Sequence, residues 1–240
     1  MKRYFIGLMI LLLGVVSLSP AVSWIESSPR DAEFTYARIR YHMTPDAIFV
    51  REVPWHHDYP FGDEQFPTVL KEVSRVHTES SAYEIVDIDS PDLFKYPFAY
   101  LSEPGYLELN AKDIRNFREY LERGGFVMID DFRGPRHLNN LMSQLKKVFP
   151  NRNVVPLYVE HPMFNTFYKI ESLDMRAPYG PGPVEFLGME DDHGRLMMVI
   201  NYNNDLSEFW EWLDRGELPL RDAATSLKFG VNYLMYAMTH

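Results

Sequence analysis

The stretch NAKDIRNFREYLERGGFVMIDD, residues 110 to 131, constrains the fold more than any other part of the chain. Asn110 stands at a helix N-cap position with Asp113 three residues on, a relative of the Ser/Thr-x-x-Glu capping box. Ile114, Phe117 and Leu121 then fall on one helical face. Gly124-Gly125 ends the helix in the way a C-terminal glycine does. The next residues, FVMI, are a short unbroken apolar run that stops at Asp130 and Asp131. Such a run is a strand buried on both faces, and it requires a sheet covered by helices on both sides.

The same grammar recurs along the chain. FTYARIRYH (34 to 42) alternates with period two and reads as a strand. YEIVDIDS (83 to 90), Tyr96 to Leu101, TFYKI (166 to 170) and LMMVI (196 to 200) are expected as further strands. Helices are expected over TVLKEVSRVHTES, PRHLNNLMSQLKKVFP, LSEFWEWL and ATSLKFGVNYLMYAM. REVPWHHDYPFGDEQF and SLDMRAPYGPGPVEF read as loops, and Asp191 to Gly194 as a hairpin turn. Strands alternating with helices at this spacing predict an α/β three-layer sandwich with a mostly parallel sheet. After a polar lead-in at 24 to 33, residues 34 to 240 are expected to form one domain.

The chain opens MKRYFIGLMILLLGVVSLSPAVS. A basic start, an apolar run from Tyr4 to Val16 and small residues at Ala21 and Ser23 form the pattern of a secretory signal peptide. The run is shorter than the roughly 20 residues that span a bilayer, so cleavage after Ser23 is expected over retention as an N-terminal anchor. The expected destination is the periplasm or the exterior. There is no cysteine, so an exported domain of this kind is stable by packing without disulfides, and no lipid can be attached at a lipobox. The formal charge of −10 and the lack of a basic stripe argue against nucleic acid, which is bound through clustered Lys and Arg.

Several segments together resemble the family described as domain of unknown function 4159. They are FTYARIRYH, WHHDYP, DLFKYPFAYLSEPGYLELNAKDIRNFREYLERGGFVMIDDF, VFPNRNVVPLYVEHPMF and GRLMMVINYNND, covering most of residues 34 to 235. That family is similar to the class I glutamine amidotransferase-like fold, a flavodoxin-like sandwich, and the resemblance implies that fold and no particular activity. True amidotransferases use a cysteine nucleophile after a strand, which this chain lacks. Ser102, in Ser102-Glu103-Pro104-Gly105, is the conceivable substitute, but it would need a base within hydrogen-bond reach. The G-x-S-x-G elbow is absent as well. A glutaminase is excluded.

In an open parallel sheet, ligands sit at the carboxyl ends of the strands. The residues expected there are Arg38, Tyr41, Glu103, Asp130, Asp131 and Asn203. Strand alternation sends Asp130 and Asp131 in different directions, so one of them is a candidate cap for the helix near Pro135 and Asp131 a candidate acid or base. Trp55, His57 and Asp58 form the densest functional cluster in the chain, in a loop expected to pack over the sheet. Adjacent histidines rarely share a metal, and no H-E-x-x-H or comparable spacing occurs, so neither a metal nor a cofactor is expected. His161, held extended by the proline after it, is the second candidate acid or base.

The sequence supports two readings of function. One is a non-catalytic envelope module that binds a small molecule or another envelope protein. The alternative is a hydrolase for a small or carbohydrate-like ligand, with carboxylates and His as acid and base.

Overall fold

The computed structural model describes residues 32–180 and 182–240; the expected signal segment and most of the lead-in lie outside them. Seven strands form one sheet: β1 Tyr36–Arg40, β2 Tyr83–Asp87, β3 Phe98–Ser102, β4 Phe126–Phe132, β5 Val155–Pro156, β6 Glu185–Glu190 and β7 Leu196–Tyr202. Their order is β2-β1-β3-β4-β7-β6-β5. From β2 to β7 the neighbours are parallel, and β6 and β5 extend the sheet antiparallel.

Five α-helices cover the sheet: α1 Phe61–Val73, α2 Ala111–Glu122, α3 Gly134–Val148, α4 Leu206–Glu211 and α5 Leu220–Thr239. Alternation in β1 divides its side chains between two cores. Ala37 and Ile39 pack with Phe117 and Leu121 of α2 and Leu141 and Leu145 of α3. Tyr36 packs with Phe66 of α1, Trp210 of α4 and Phe229 of α5. Strands β3 and β4 are buried along their whole length, as apolar runs without alternation require.

Both halves of the capping box on α2 are made. Asn110 accepts from the amides of Lys112 and Asp113 at 2.7 and 3.1 Å, and Asp113 accepts from the Asn110 amide at 2.9 Å. Gly124 leaves the helix at φ +110, a conformation that side chains other than glycine's strain to adopt.

Two expectations need correction. TFYKI is not a strand; its turn is pinned by Asn232 of α5, which accepts from the amides of Phe167 and Tyr168 and donates to the Tyr168 carbonyl. Tertiary bonding has outweighed its β-propensity. Helix α1 also begins at Phe61, inside the segment expected to be loop, because Asp63 in its first turn is tied to β1.

Candidate functional site

The carboxyl ends of β1, β3, β4 and β7 open onto one group of polar side chains, and buried bonds fix the segments that carry them. Arg38 on β1 is fully buried. Its Nε lies 2.9 and 3.1 Å from the two carboxylate oxygens of Asp63, and its Nη2 adds a third contact. Nη1 donates to the carbonyls of His57 and Trp55 at 2.8 and 3.4 Å. Arg38 was expected to meet a ligand; it instead clamps the Trp55–Asp58 loop and α1 to the sheet. Tyr41 plays a similar part, its hydroxyl donating to the carbonyls of Ser102 and Glu103 at 2.9 and 2.8 Å.

The clamped loop brings His57 to the end of β4. Its Nδ1 lies 2.8 Å from Asp131 Oδ2 and 3.3 Å from Asp58 Oδ1. Ser102 at the end of β3 donates to the same Asp131 oxygen at 3.2 Å. Asp131 sits at a bulge, at φ +56. Asp58, Glu103 and Asn203 also have positive φ, at +63, +44 and +55. Uncommon backbone conformations of this kind gather at functional sites.

Asp130 and Asp131 do point apart, as strand geometry required. Asp130 serves the start of α4, not α3: from β4 its Oδ2 accepts from the amides of Leu206 and Ser207 at 2.7 and 3.1 Å. The start of α3 is satisfied by Asn203, whose Oδ1 accepts from the Gly134 amide at 3.0 Å. Asn203 Nδ2 also donates to the Pro183 carbonyl at 2.9 Å. Asn203 therefore joins α3 to the proline- and glycine-rich loop before β6.

Helix α4 adds two acidic groups, Glu208 and Glu211, that sequence reasoning did not select. Asp205 is its N-cap, accepting from the Glu208 amide at 2.9 Å. Glu208 is bonded to the Tyr179 hydroxyl and, at 2.8 Å, to Trp212 Nε1. Ligand atoms of Asp58, Glu208 and Glu211 all lie within 4.8 Å of one another, as do those of His57, Asp58 and Asp131. The signal in the sequence was Asp205-x-x-Glu208-x-x-Glu211: a cap, then two carboxylates three residues apart and so on neighbouring positions of one face. The loop before β6 covers this end of the sheet. Tyr179 reaches down to Glu208, and Arg133 Nε holds the Tyr179 carbonyl at 2.9 Å.

Among the described residues, the only side chain that forms an ion pair with any of these carboxylates is His57. That shortage of positive charge shapes the electrostatics. Burial pushes the Glu103 carboxyl up to about 7. Burial, then the Asp205 charge, raises Asp58 and Asp131 well above the usual carboxylate range. The bond to Asp131 raises His57 to about 9. The His57–Asp131 contact holds one proton between its two atoms. The remaining carboxylates repel one another with little to offset them.

His161 lies elsewhere. Its Nδ1 accepts from the Met163 amide at 3.2 Å, and its ring packs against Phe164 and Tyr236. Its nearest carboxylate is Glu190, 3.8 Å away. Glu190 pairs with Leu196, the first residue of β7, so His161 stands by the amino edge of the parallel strands, opposite Asp131. It closes its own turn instead of serving as the second acid or base expected of it. Trp55 stacks at the rim, with the Arg40 guanidinium 5.8 Å above its ring.

Fold and site together define an α/β protein with a mostly parallel sheet, helices on both faces and an acidic cluster at the carboxyl edge. The chain belongs to the family described as Domain of unknown function (DUF4159), whose model matches residues 35–238. No curated protein matches it. Among the described residues no helix is long and apolar enough to cross a membrane.

Proposed function

We propose that the chain is an exported, non-catalytic module on a flavodoxin-like, amidotransferase-like fold, which binds a ligand rich in hydroxyl or cationic groups at the acidic end of its sheet. The strand order β2-β1-β3-β4-β7 supports that fold, since it is the 2-1-3-4-5 order of flavodoxin-like sheets. The observation that carries the binding reading is the bonding of Ser102. It is fully buried, and its hydroxyl donates to a carboxylate while the neighbouring histidine is bonded to that same carboxylate. Among the described residues Ser102 is bonded to the Asp131 carboxylate and to no histidine, so no serine–histidine pair stands where the amidotransferase nucleophile was expected.

The cluster at this edge instead offers acceptors: Asp58, Glu103, Asp131, Glu208 and Glu211. A ligand supplying donors or positive charge relieves their repulsion. Polyols, amino sugars and cationic peptidoglycan fragments have that chemistry, and nucleic acid does not. A thermal-shift screen of the purified protein in chelator tests it, because binding to the native state raises the melting temperature. A rise with an amino sugar or polyol, lost in Glu103→Gln, supports the module. No shift with any member of such a panel overturns it.

One observation favours the alternative, a carbohydrate hydrolase. Glu103, held to about 7, is in the range of a general acid near neutral pH. Turnover of a glycan abolished in Glu103→Gln would establish that reading over the first.

A further inference from the structure

We propose that His57, Asp58 and Asp131 bind one divalent cation, of the kind that takes nitrogen and oxygen together, such as Mn2+ or Zn2+. The site lies within the acidic cluster at the carboxyl edge of the sheet. It rests on that cluster being a ligand site, but it does not depend on which organic ligand binds there.

The spacing of the ligand atoms is the first ground. Atoms bound to one ion at about 2.1 Å stand about 3.0 Å apart along an octahedral edge and about 3.4 Å along a tetrahedral one. His57 Nδ1 lies 2.8 Å from Asp131 Oδ2 and 3.3 Å from Asp58 Oδ1. The single proton that Nδ1 can carry serves both contacts only as a shared, three-centre bond. A cation at the centre of the three groups accounts for both at ordinary ligand spacing.

The second ground is independent of the spacing. The Asp58 side chain is 6% exposed, and among the described residues its buried Oδ2 takes no N–H or hydroxyl donor; the carboxyl group bonded to Asp58 is that of Glu211, another acid. An unpaired carboxylate oxygen out of water costs several kcal/mol unless something satisfies it. This oxygen belongs to the residue shared by both close-packed ligand groups, His57–Asp58–Asp131 and Asp58–Glu208–Glu211. The ligand atoms packed with Asp58 are those of His57, Asp131, Glu208 and Glu211, a set that a cation satisfies in place of a shared proton.

The surrounding bonds are those of ligands held in position. Ser102 donates to Asp131, and Arg38 Nη1 holds the carbonyl of His57. Partners of this kind orient metal ligands and tune them. One imidazole among carboxylates selects Mn2+ or Zn2+ over Mg2+ and Ca2+, which prefer all-oxygen sets. Sequence spacing could not show this site, because 74 residues separate His57 from Asp131.

The test uses the full protein stripped with chelator and dialysed, then titrated calorimetrically with Mn2+, Zn2+ and Mg2+. One Mn2+ or Zn2+ per chain is expected, with Mg2+ weaker. Asp58→Asn is nearly isosteric and tolerates the left-handed backbone of that position, so it should fold and bind at least tenfold more weakly. His57→Gln should do the same, while His161→Gln, at the opposite edge, should bind as the native protein does. No saturable binding, or binding unchanged in both Asp58→Asn and His57→Gln, overturns the site. The organic-ligand screen is run in chelator. Failure there with metal binding intact removes the module reading alone, and the reverse result removes this site alone.

Discussion

Arg38 and Asp63 face each other fully buried, with both carboxylate oxygens of Asp63 bonded to one guanidinium. The same guanidinium holds the carbonyl of His57, so one ion pair sets both the start of α1 and the position of the site loop. Removing one partner of such a pair strands the other charge in the core, at a cost of about 3–5 kcal/mol. Asp63→Ala should therefore lower the melting temperature by many degrees and abolish binding at His57. Urea melts of the variant check it; a change below about 1 kcal/mol would remove the clamp from the account.

The two adjacent aspartates should separate by experiment. Asp130→Ala leaves the Leu206 and Ser207 amides without their acceptor in a buried place, which costs roughly 1–3 kcal/mol. Asp131→Asn keeps the shape, and Asn accepts positive φ readily. Its stability should stay within about 1 kcal/mol of native while cation and ligand binding fall tenfold or more. Equal stability losses in the two variants, with binding retained in Asp131→Asn, would make both residues structural.

Glu103 gives a pH dependence with a definite sign. Its folded pKa, about 7, lies above the ordinary 4.5, so the folded state favours the protonated form. Its contribution to stability is complete below about 4.5 and is lost as pH rises to about 7. In chelator, the melting temperature should fall between pH 5 and pH 8. Glu103→Gln cannot ionise, so its fall should be smaller, leaving it ahead by roughly 1–3 kcal/mol at pH 8 after allowance for partial solvent exposure. Parallel pH profiles for the two proteins would contradict this.

Export predicts a processed chain. Intact-mass measurement of the protein from its native cells should show an N-terminus at Trp24, the residue after Ser23. A chain still carrying Met1 in the membrane fraction would replace cleavage with anchoring.

What could be foreseen from the sequence was what is local. The capping box, Gly124 and the apolar runs of β3, β4 and β7 depend on neighbours a few residues away, and they were legible. The site was half legible. Asp131, His57, Asp58 and Glu103 could be picked as strand-end or loop residues, but their convergence depends on contacts across many tens of residues. Arg38 was misjudged because a sequence does not show which way a strand arginine finds its partner; Asp63, its partner, lay in a segment that looked like loop. His161 was misjudged because both edges of a sheet carry polar residues, and only the order of strands tells them apart.

The sheet's borders set how this molecule can meet its own kind. Strand β5 is two residues long, Val155–Pro156, and Pro156 has no amide hydrogen to offer a neighbour. At the far border β2 carries Glu84 and Asp87, the latter fastened to Arg40. A short proline-bearing margin on one side and a charged one on the other discourage ribbon-wise stacking of copies. A protein with so long a buried sheet is thereby kept from polymerising along it.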